Sequence, residues 1–271
     1  MCDACVMSAV KERMLSRRSF FQNAGLAGAA AALGAVGAPT AARAAAHSGL
    51  TDLTHTLSAE FPTFFGTPGF AAEQLYKFEK DGFNLFNLTV NEHTGTHVDA
   101  PLHFSADGIS VDEIPVMSLM APLCVIDISA RASEDADTTL TPDDLQAWID
   151  ANGPIPDQAC VALYSGWGAK VKTEGFRNFD GTAMHFPGFH VEAAQMLLET
   201  GAASIASDTL SLDPGISPDF ATHYAWLPQG RFGIECIANL DRVPTAGATV
   251  FIGASKHAGG SGGPARILAV V

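Results

Sequence analysis

The chain has 271 residues, of which 47% are hydrophobic and 16% charged, with a formal net charge of −14. That apolar share supplies a sizeable core and excludes intrinsic disorder. Five cysteines in this length exclude a disulfide scaffold, and so acidic a balance leaves no basic surface for nucleic acid. In chain order, the first segment stands apart. Ser16-Arg17-Arg18-Ser19-Phe20-Phe21 puts a twin arginine before two aromatics, Ala24 to Ala38 follows as a run of Ala, Gly, Leu and Val, and Ala44-Ala45-Ala46 closes in a small-x-small pattern. This layout predicts a twin-arginine signal peptide over 1–46 and one exported domain over 47–271. The apolar run is shorter than the roughly 20 residues a membrane helix needs. The expectation is therefore a periplasmic protein with no membrane anchor once the leader is removed. Because the twin-arginine route carries folded proteins, it also favours a protein loaded with a metal or cofactor before export. Cys124, Cys160 and Cys236 sit among apolar neighbours and are expected to be buried free thiols.

Past the leader, short apolar runs bounded by Gly, Pro or Asp predict strands at 85–90, 123–128, 160–164, 204–208 and 248–252. Thr141-Pro142-Asp143-Asp144 combines an N-cap, a proline at the first helical position and early acids, so a helix starts there and stops near Gly153-Pro154. A second helix is predicted from His190 to Thr200, ended by Gly201. Each helix leads into a strand, which predicts α/β layering.

The chemistry is concentrated in His93-Thr94-Gly95-Thr96-His97-Val98-Asp99-Ala100-Pro101-Leu102-His103. Gly95, the flanking threonines and Pro101 argue against a helix. In a strand the four titratable residues share one face, but His93 and His97 would then lie roughly 13 Å apart, too far for one ion. A turn at Gly95 is therefore expected, with His97 and Asp99 converging from one strand face. Imidazoles beside one carboxylate suit Zn, Mn or Fe(II), and a buried carboxylate there calls for a cation.

This stretch resembles the His-x-Gly-Thr-His-x-Asp-x-Pro-x-His-Phe signature of the metal-dependent cyclase-like hydrolases, a family that includes bacterial kynurenine formamidase and isatin hydrolase. Asp52-Leu53-Thr54-His55, Ser207-Asp208-Thr209-Leu210-Ser211-Leu212-Asp213, the segment at Glu235 and the glycine-rich Gly259-Gly260-Ser261-Gly262-Gly263-Pro264 extend the resemblance over most of 50–271. It implies an α/β fold of the single-domain swivelling β/β/α type, with a central mixed β-sheet or barrel-like core. It implies that His93, His97 and Asp99 bind a divalent metal, Mn(II) or Zn(II), and that Asp99 can bridge to a second ion held by His223 and Glu235. One or two ions per chain are thus expected. The same resemblance makes His103 the proton carrier, with water activated by the metal attacking an amide, lactam or formyl carbonyl.

Phe64 and Phe65 stand where formamidases of the family carry a Trp and a Pro, so they are read as substrate-binding, and Phe61 and Phe70 as further candidates for an apolar pocket. Asp208 and Asp213 are open between turn residues and supports of the site. The expected activity is cleavage of a C–N bond in a small cyclic or aryl amide, isatin- or N-formylkynurenine-like, by a homo-dimer or homo-tetramer. Two alternatives stand beside it: a cyclase or dehydratase-type lyase on the same site, and a non-catalytic periplasmic binding protein.

Overall fold

The computed structural model describes residues 49–271, so the twin-arginine segment read at 1–46 lies outside the described residues. Within them, two compact units are distinguished, residues 72–88 and the remainder at 49–71 and 89–271.

The larger unit is built on a closed mixed barrel. Its strands are β4 (His97–Asp99), β5 (Met120–Asp127), β7 (Cys160–Tyr164), β9 (Ser204–Ser207), β10 (Phe232–Glu235), β11 (Ala248–Ala254) and β12 (Gly262–Val270). They follow one another in the order β12-β11-β5-β7-β9-β10-β4, and β4 pairs back onto β12 to close the ring. β1 (Leu50–Asp52) adds to β12 from outside the ring, β6 (Thr139–Leu140) pairs with β8 (Gly188–Phe189) as a separate ribbon, and the short helix α2 (Ser129–Glu134) follows β5. The pairs β5–β7, β7–β9 and β9–β10 are parallel and the others antiparallel. The expected α/β fold with a mixed, barrel-like core is what the chain forms.

Alternation within the strands sorts side chains between two cores. On β7, Cys160 and Ala162 point into the barrel with Leu123, Val125, Ile234 and Ile267. Val161 and Leu163 point outward, against α3 (Pro142–Asn152) and α4 (Val191–Leu198) through Leu145, Trp148, Ala193 and Leu197. Because these strands are covered on both faces they read as continuous apolar runs. The start of α3 follows the sequence closely: the Asp144 N–H donates to Thr141 Oγ1, Asp144 caps Thr141 in return, and Gly153 ends the helix. α4 is shorter than read, because His190 is its cap rather than its first turn and accepts from the Glu192 N–H. A third cluster packs Phe61, Trp167, Phe176, Phe186 and Leu210 with Cys236. Cys124, Cys160 and Cys236 are free and buried, as expected. No helix among the described residues is long and apolar enough to cross a membrane.

The smaller unit is a hairpin of β2 (Phe70–Tyr76) and β3 (Leu85–Val90) joined through the short helix α1 (Phe78–Asp81). Asn84 Oδ1 accepts from the Phe78 N–H and ties the connection. Its Leu75, Phe78, Leu85, Phe86 and Leu88 are exposed.

Candidate metal centre

The three residues of β4 decide where the site lies. Val98 joins the barrel core, so His97 and Asp99 project from the opposite face. Glu235 on β10 is the direct cross-strand partner of His97 and shares that face. The turn expected at Gly95 is present, with φ of 72°, and it carries His93 back over Asp99. Pro101–His103 then forms a 3-10 turn that lays the His103 ring on the His93 ring, their centroids 3.8 Å apart and their planes 20° apart. His223 arrives from α5 (Ala221–Trp226). The carboxylate of Asp213 accepts the Thr222 and His223 backbone N–H groups at 2.7 and 3.1 Å and lies 2.5 Å from His223 Nδ1.

Six residues singled out in the sequence thus meet around one carboxylate. His93 Nδ1 is 2.8 Å from Asp99 Oδ1 and His97 Nε2 is 3.2 Å from the same oxygen. His97 Nε2 is also 3.4 Å from Glu235 Oε2. His223 Nε2 lies 3.1 Å from Glu235 Oε1 and 3.7 Å from Asp99 Oδ2. His97, Asp99, His223 and Glu235 are all buried. Ligand atoms of His97, Asp99 and Glu235 form one group within 4.8 Å of one another, and those of His93, Asp99 and His103 form a second.

The electrostatics follow from that crowding. Burial opposes a charge on His97, but Asp99 and Glu235 outweigh it and lift its pKa to about 10. His223 is likewise raised, with burial overcome by Asp213, Asp99 and Glu235. Asp99 is held well below the carboxylate range, its burial overcome by His97, His223 and His93. His103 goes the other way: burial lowers it to about 4, with the His93 charge adding to burial and the Asp99 carboxylate opposing it.

Hydrogen-bond chemistry tests whether the residues fit a cation. His97 Nδ1 faces the Gly95 carbonyl at 2.9 Å, an acceptor only, so this nitrogen keeps its proton, and it is the Nε2 proton, held by the raised pKa, that an ion would displace to take the Nε2 lone pair. That lone pair points at two carboxylates, and both His97 Nε2 and Asp99 Oδ2 are buried without a hydrogen bond. Asp213 fixes His223 in the same way and turns its Nε2 onto Asp99 and Glu235. Buried lone pairs aimed at one another need positive charge between them. Imidazole nitrogen with carboxylate oxygen is a donor set for Zn or Mn, so the residues fit a divalent ion.

The group opens on a cavity of about 300 Å³ lined by His93, His97, His103, His223 and Glu235 together with Phe64, Phe65, Phe104, Leu210 and Phe220. Phe104 and Phe220 stand 5.6 Å apart, as do Phe64 and Phe220. Phe64 and Phe65 therefore reach the cavity as read, Phe65 at its rim and 81% exposed. Phe61 does not, because it is buried against Phe176 in the third cluster. Phe70 begins β2 and is absent from the lining. Phe104 and Phe220 escaped the sequence reading. The first is the last residue of the signature and was legible, though no role was read for it; the second has no local signal. Asp213 supports the site. Asp208 instead ties the 165–168 turn, accepting from the Ser165 N–H, the Ser165 hydroxyl and the Trp167 N–H.

Comparison with known proteins agrees with this fold. Residues 51–214 match the family model described as putative cyclase. An isatin hydrolase of Roseibium aggregatum is 33% identical over 217 residues, which span 76% of this chain and 82% of that protein. Isatin hydrolase A from Ralstonia solanacearum is 36% identical with a TM-score of 0.77, covering 82% of this chain and 91% of that one. An isatin hydrolase crystallised with the product analogue thioisatinate is 31% identical with the same TM-score, over 82% of this chain and 92% of that one.

Proposed function

This chain belongs to the putative cyclase family, and from that membership we propose that it is a metal-dependent amidohydrolase, cleaving the C–N bond of a small cyclic or aryl amide. The observation that carries the proposal is the pair His97 and His223. Each has one ring nitrogen tied to an acceptor and turns the other onto the same two buried carboxylates. His93, His97, Asp99, His223 and Glu235 would hold Mn(II) or Zn(II). Such an ion supplies a Lewis acid for the carbonyl and a water whose pKa is lowered to about 7.

The chain's own residues do the rest. His103 is neutral near pH 7 because burial disfavours its charge, so it accepts the proton of the attacking water. As the C–N bond breaks it returns that proton to the leaving nitrogen. Its ring is stacked on that of His93, which keeps it beside the residues that would hold the ion rather than out in the cavity. Phe104 and Phe220, with Phe64, are tilted against one another and offer aromatic surface to a flat ring. The relative that holds thioisatinate supports an aryl substrate of isatin type. Export to the periplasm is supported by the 16–46 leader pattern. A homo-dimer or homo-tetramer is supported by the exposed apolar side chains of the 72–88 unit.

Turnover of isatin and N-formylkynurenine by Mn(II)- or Zn(II)-loaded protein in ¹⁸O-labelled water tests the reading. Label in the product acid supports hydrolysis. An unlabelled product would mean a lyase, and no turnover with any aryl amide would return the site to a binding role.

A further inference from the structure

The three histidines around Asp99 are fixed by three different kinds of anchor. His97 Nδ1 faces a carbonyl and His223 Nδ1 faces a carboxylate, and both groups only accept. His93 Nε2 instead faces the hydroxyl of Ser261 at 3.0 Å. A hydroxyl can accept or donate, so by itself it leaves the His93 tautomer open. What closes the choice is Glu92. The Ser261 hydroxyl donates to Glu92 Oε2 at 2.6 Å, and the other oxygen of Glu92 lies 2.7 Å from His257 Nε2. With its proton committed to Glu92, the Ser261 oxygen can only accept from His93. His93 then carries a proton on Nε2, while its Nδ1 lies 2.8 Å from Asp99 Oδ1, a second acceptor, so that without an ion a proton also sits between these two atoms and a bound ion would replace it there.

We propose that Ser261 and Glu92 are positioning residues that set the tautomer of His93 and thereby prepare it to ligate the cation through Nδ1. This rests on the metal-site reading of the preceding section. The local backbone is shaped for it. Ser261 stands one residue before β12, and a Cβ at the neighbouring Gly262 would come within 2.7 Å of His93 Cε1. Only glycine lets the chain pass close enough for the hydroxyl to meet the ring. Glu92 is adjacent to His93 in sequence, so one segment supplies both the ligand and the group that directs its anchor. If Glu92 is removed, the Ser261 hydroxyl is free to donate to Nε2. The proton then moves to Nδ1, where it faces Asp99 and competes with the ion. Supports of this kind typically change metal affinity by about 10–100-fold.

The test is Zn(II) affinity by chelator competition, together with histidine ¹⁵N spectra of the Zn(II)-loaded protein, for wild type, Ser261→Ala, Glu92→Ala and Glu92→Gln. The expected result is His93 protonated at Nε2 in the wild type. Ser261→Ala and Glu92→Ala should each weaken Zn(II) binding by about 10–100-fold. Glu92→Gln, which keeps an acceptor for the hydroxyl, should recover most of the loss. A merely structural role would not distinguish Gln from Ala in this way. Circular dichroism and melting of the metal-free proteins identify any variant that fails to fold, and the wild-type spectrum decides the tautomer without a variant. His93 protonated at Nδ1, or Zn(II) affinity unchanged from wild type in folded Ser261→Ala and Glu92→Ala, would overturn the inference while leaving the metal site standing. A wild type that binds no more Zn(II) than Asp99→Ala would overturn both.

Discussion

Two clusters in this molecule have almost the same composition and opposite meanings. On the surface, His185 sits between Asp137 and Asp180, with Nδ1 2.9 Å from one carboxylate and Nε2 3.3 Å from the other. In the interior, His97 sits between Asp99 and Glu235 at 3.2 and 3.4 Å. In the first, each ring nitrogen has its own partner and water reaches all three groups. In the second, Gly95 takes one nitrogen, and the other is left buried against two acids with no hydrogen bond. A His between two carboxylates is thus an ion pair in water and, out of it, a candidate for holding a cation. Burial and the direction of the lone pairs make the distinction, not the residue types.

Substitutions can be ranked by how hard they press on that contrast. The largest effect is expected from Asp99→Ala, which removes the oxygens shared by His93, His97 and His223. Metal retained after desalting should fall to background and turnover with it, a loss beyond the roughly 100-fold that supporting residues reach. Retained stoichiometric metal would show that the buried cluster is as ordinary as the surface one. Next, His103→Ala should lower kcat by about 10²–10⁴-fold with metal content unchanged. A fall in both together would make His103 a ligand instead of a proton carrier. Asp213→Asn, which weakens the anchor of His223, is expected to cost about 10–100-fold in metal affinity, read by chelator competition.

A smaller effect is expected on the aromatic wall. Phe220→Ala should raise KM for an aryl amide by about 2- to 10-fold, from an aromatic contact worth about 0.5–1.5 kcal/mol, with little change for a substrate lacking the ring. The smallest belongs to the surface cluster. Asp137 and Asp180 raise the His185 pKa above its ordinary 6.5. The pair therefore adds stability that is complete below 6.5 and is lost as pH rises through the raised value. His185→Gln should narrow the stability gap between pH 5.5 and 8.5 in urea unfolding, slightly, because the site is in water. An unchanged gap would mean that His185 contributes nothing.

Much of the fold was legible because its signals are local. The Thr141 cap, the proline after it and Gly153 mark α3 within the chain itself. The run Cys160–Tyr164 reads as a strand because both its faces are covered. The metal-site candidates within 93–103 were legible for the same reason: His97 and Asp99 share a strand face, and Gly95 can turn. His223 and Glu235 entered only through resemblance, since their twelve-residue spacing has no geometric meaning until β10 pairs with β4 and places Glu235 opposite His97. Ser261 entered only as one residue of the glycine-rich stretch in the resemblance, with nothing in the sequence to mark its hydroxyl.

What the amino-acid sequence determined by itself was therefore the kind of chemistry available: soft nitrogen and hard oxygen donors, a turn to converge them, and aromatic side chains close behind. What only the tertiary structure decided was which of those donors lose water and what each faces. Closing the barrel buries β4 between β10 and β12, which strips Asp99 of solvent, and the packing around it gives His93, His97 and His223 each an anchor on one nitrogen and a target on the other. Desolvation is a property of the packed whole, and a lone pair acquires a direction only when something on the far side of the ring holds the other nitrogen in place.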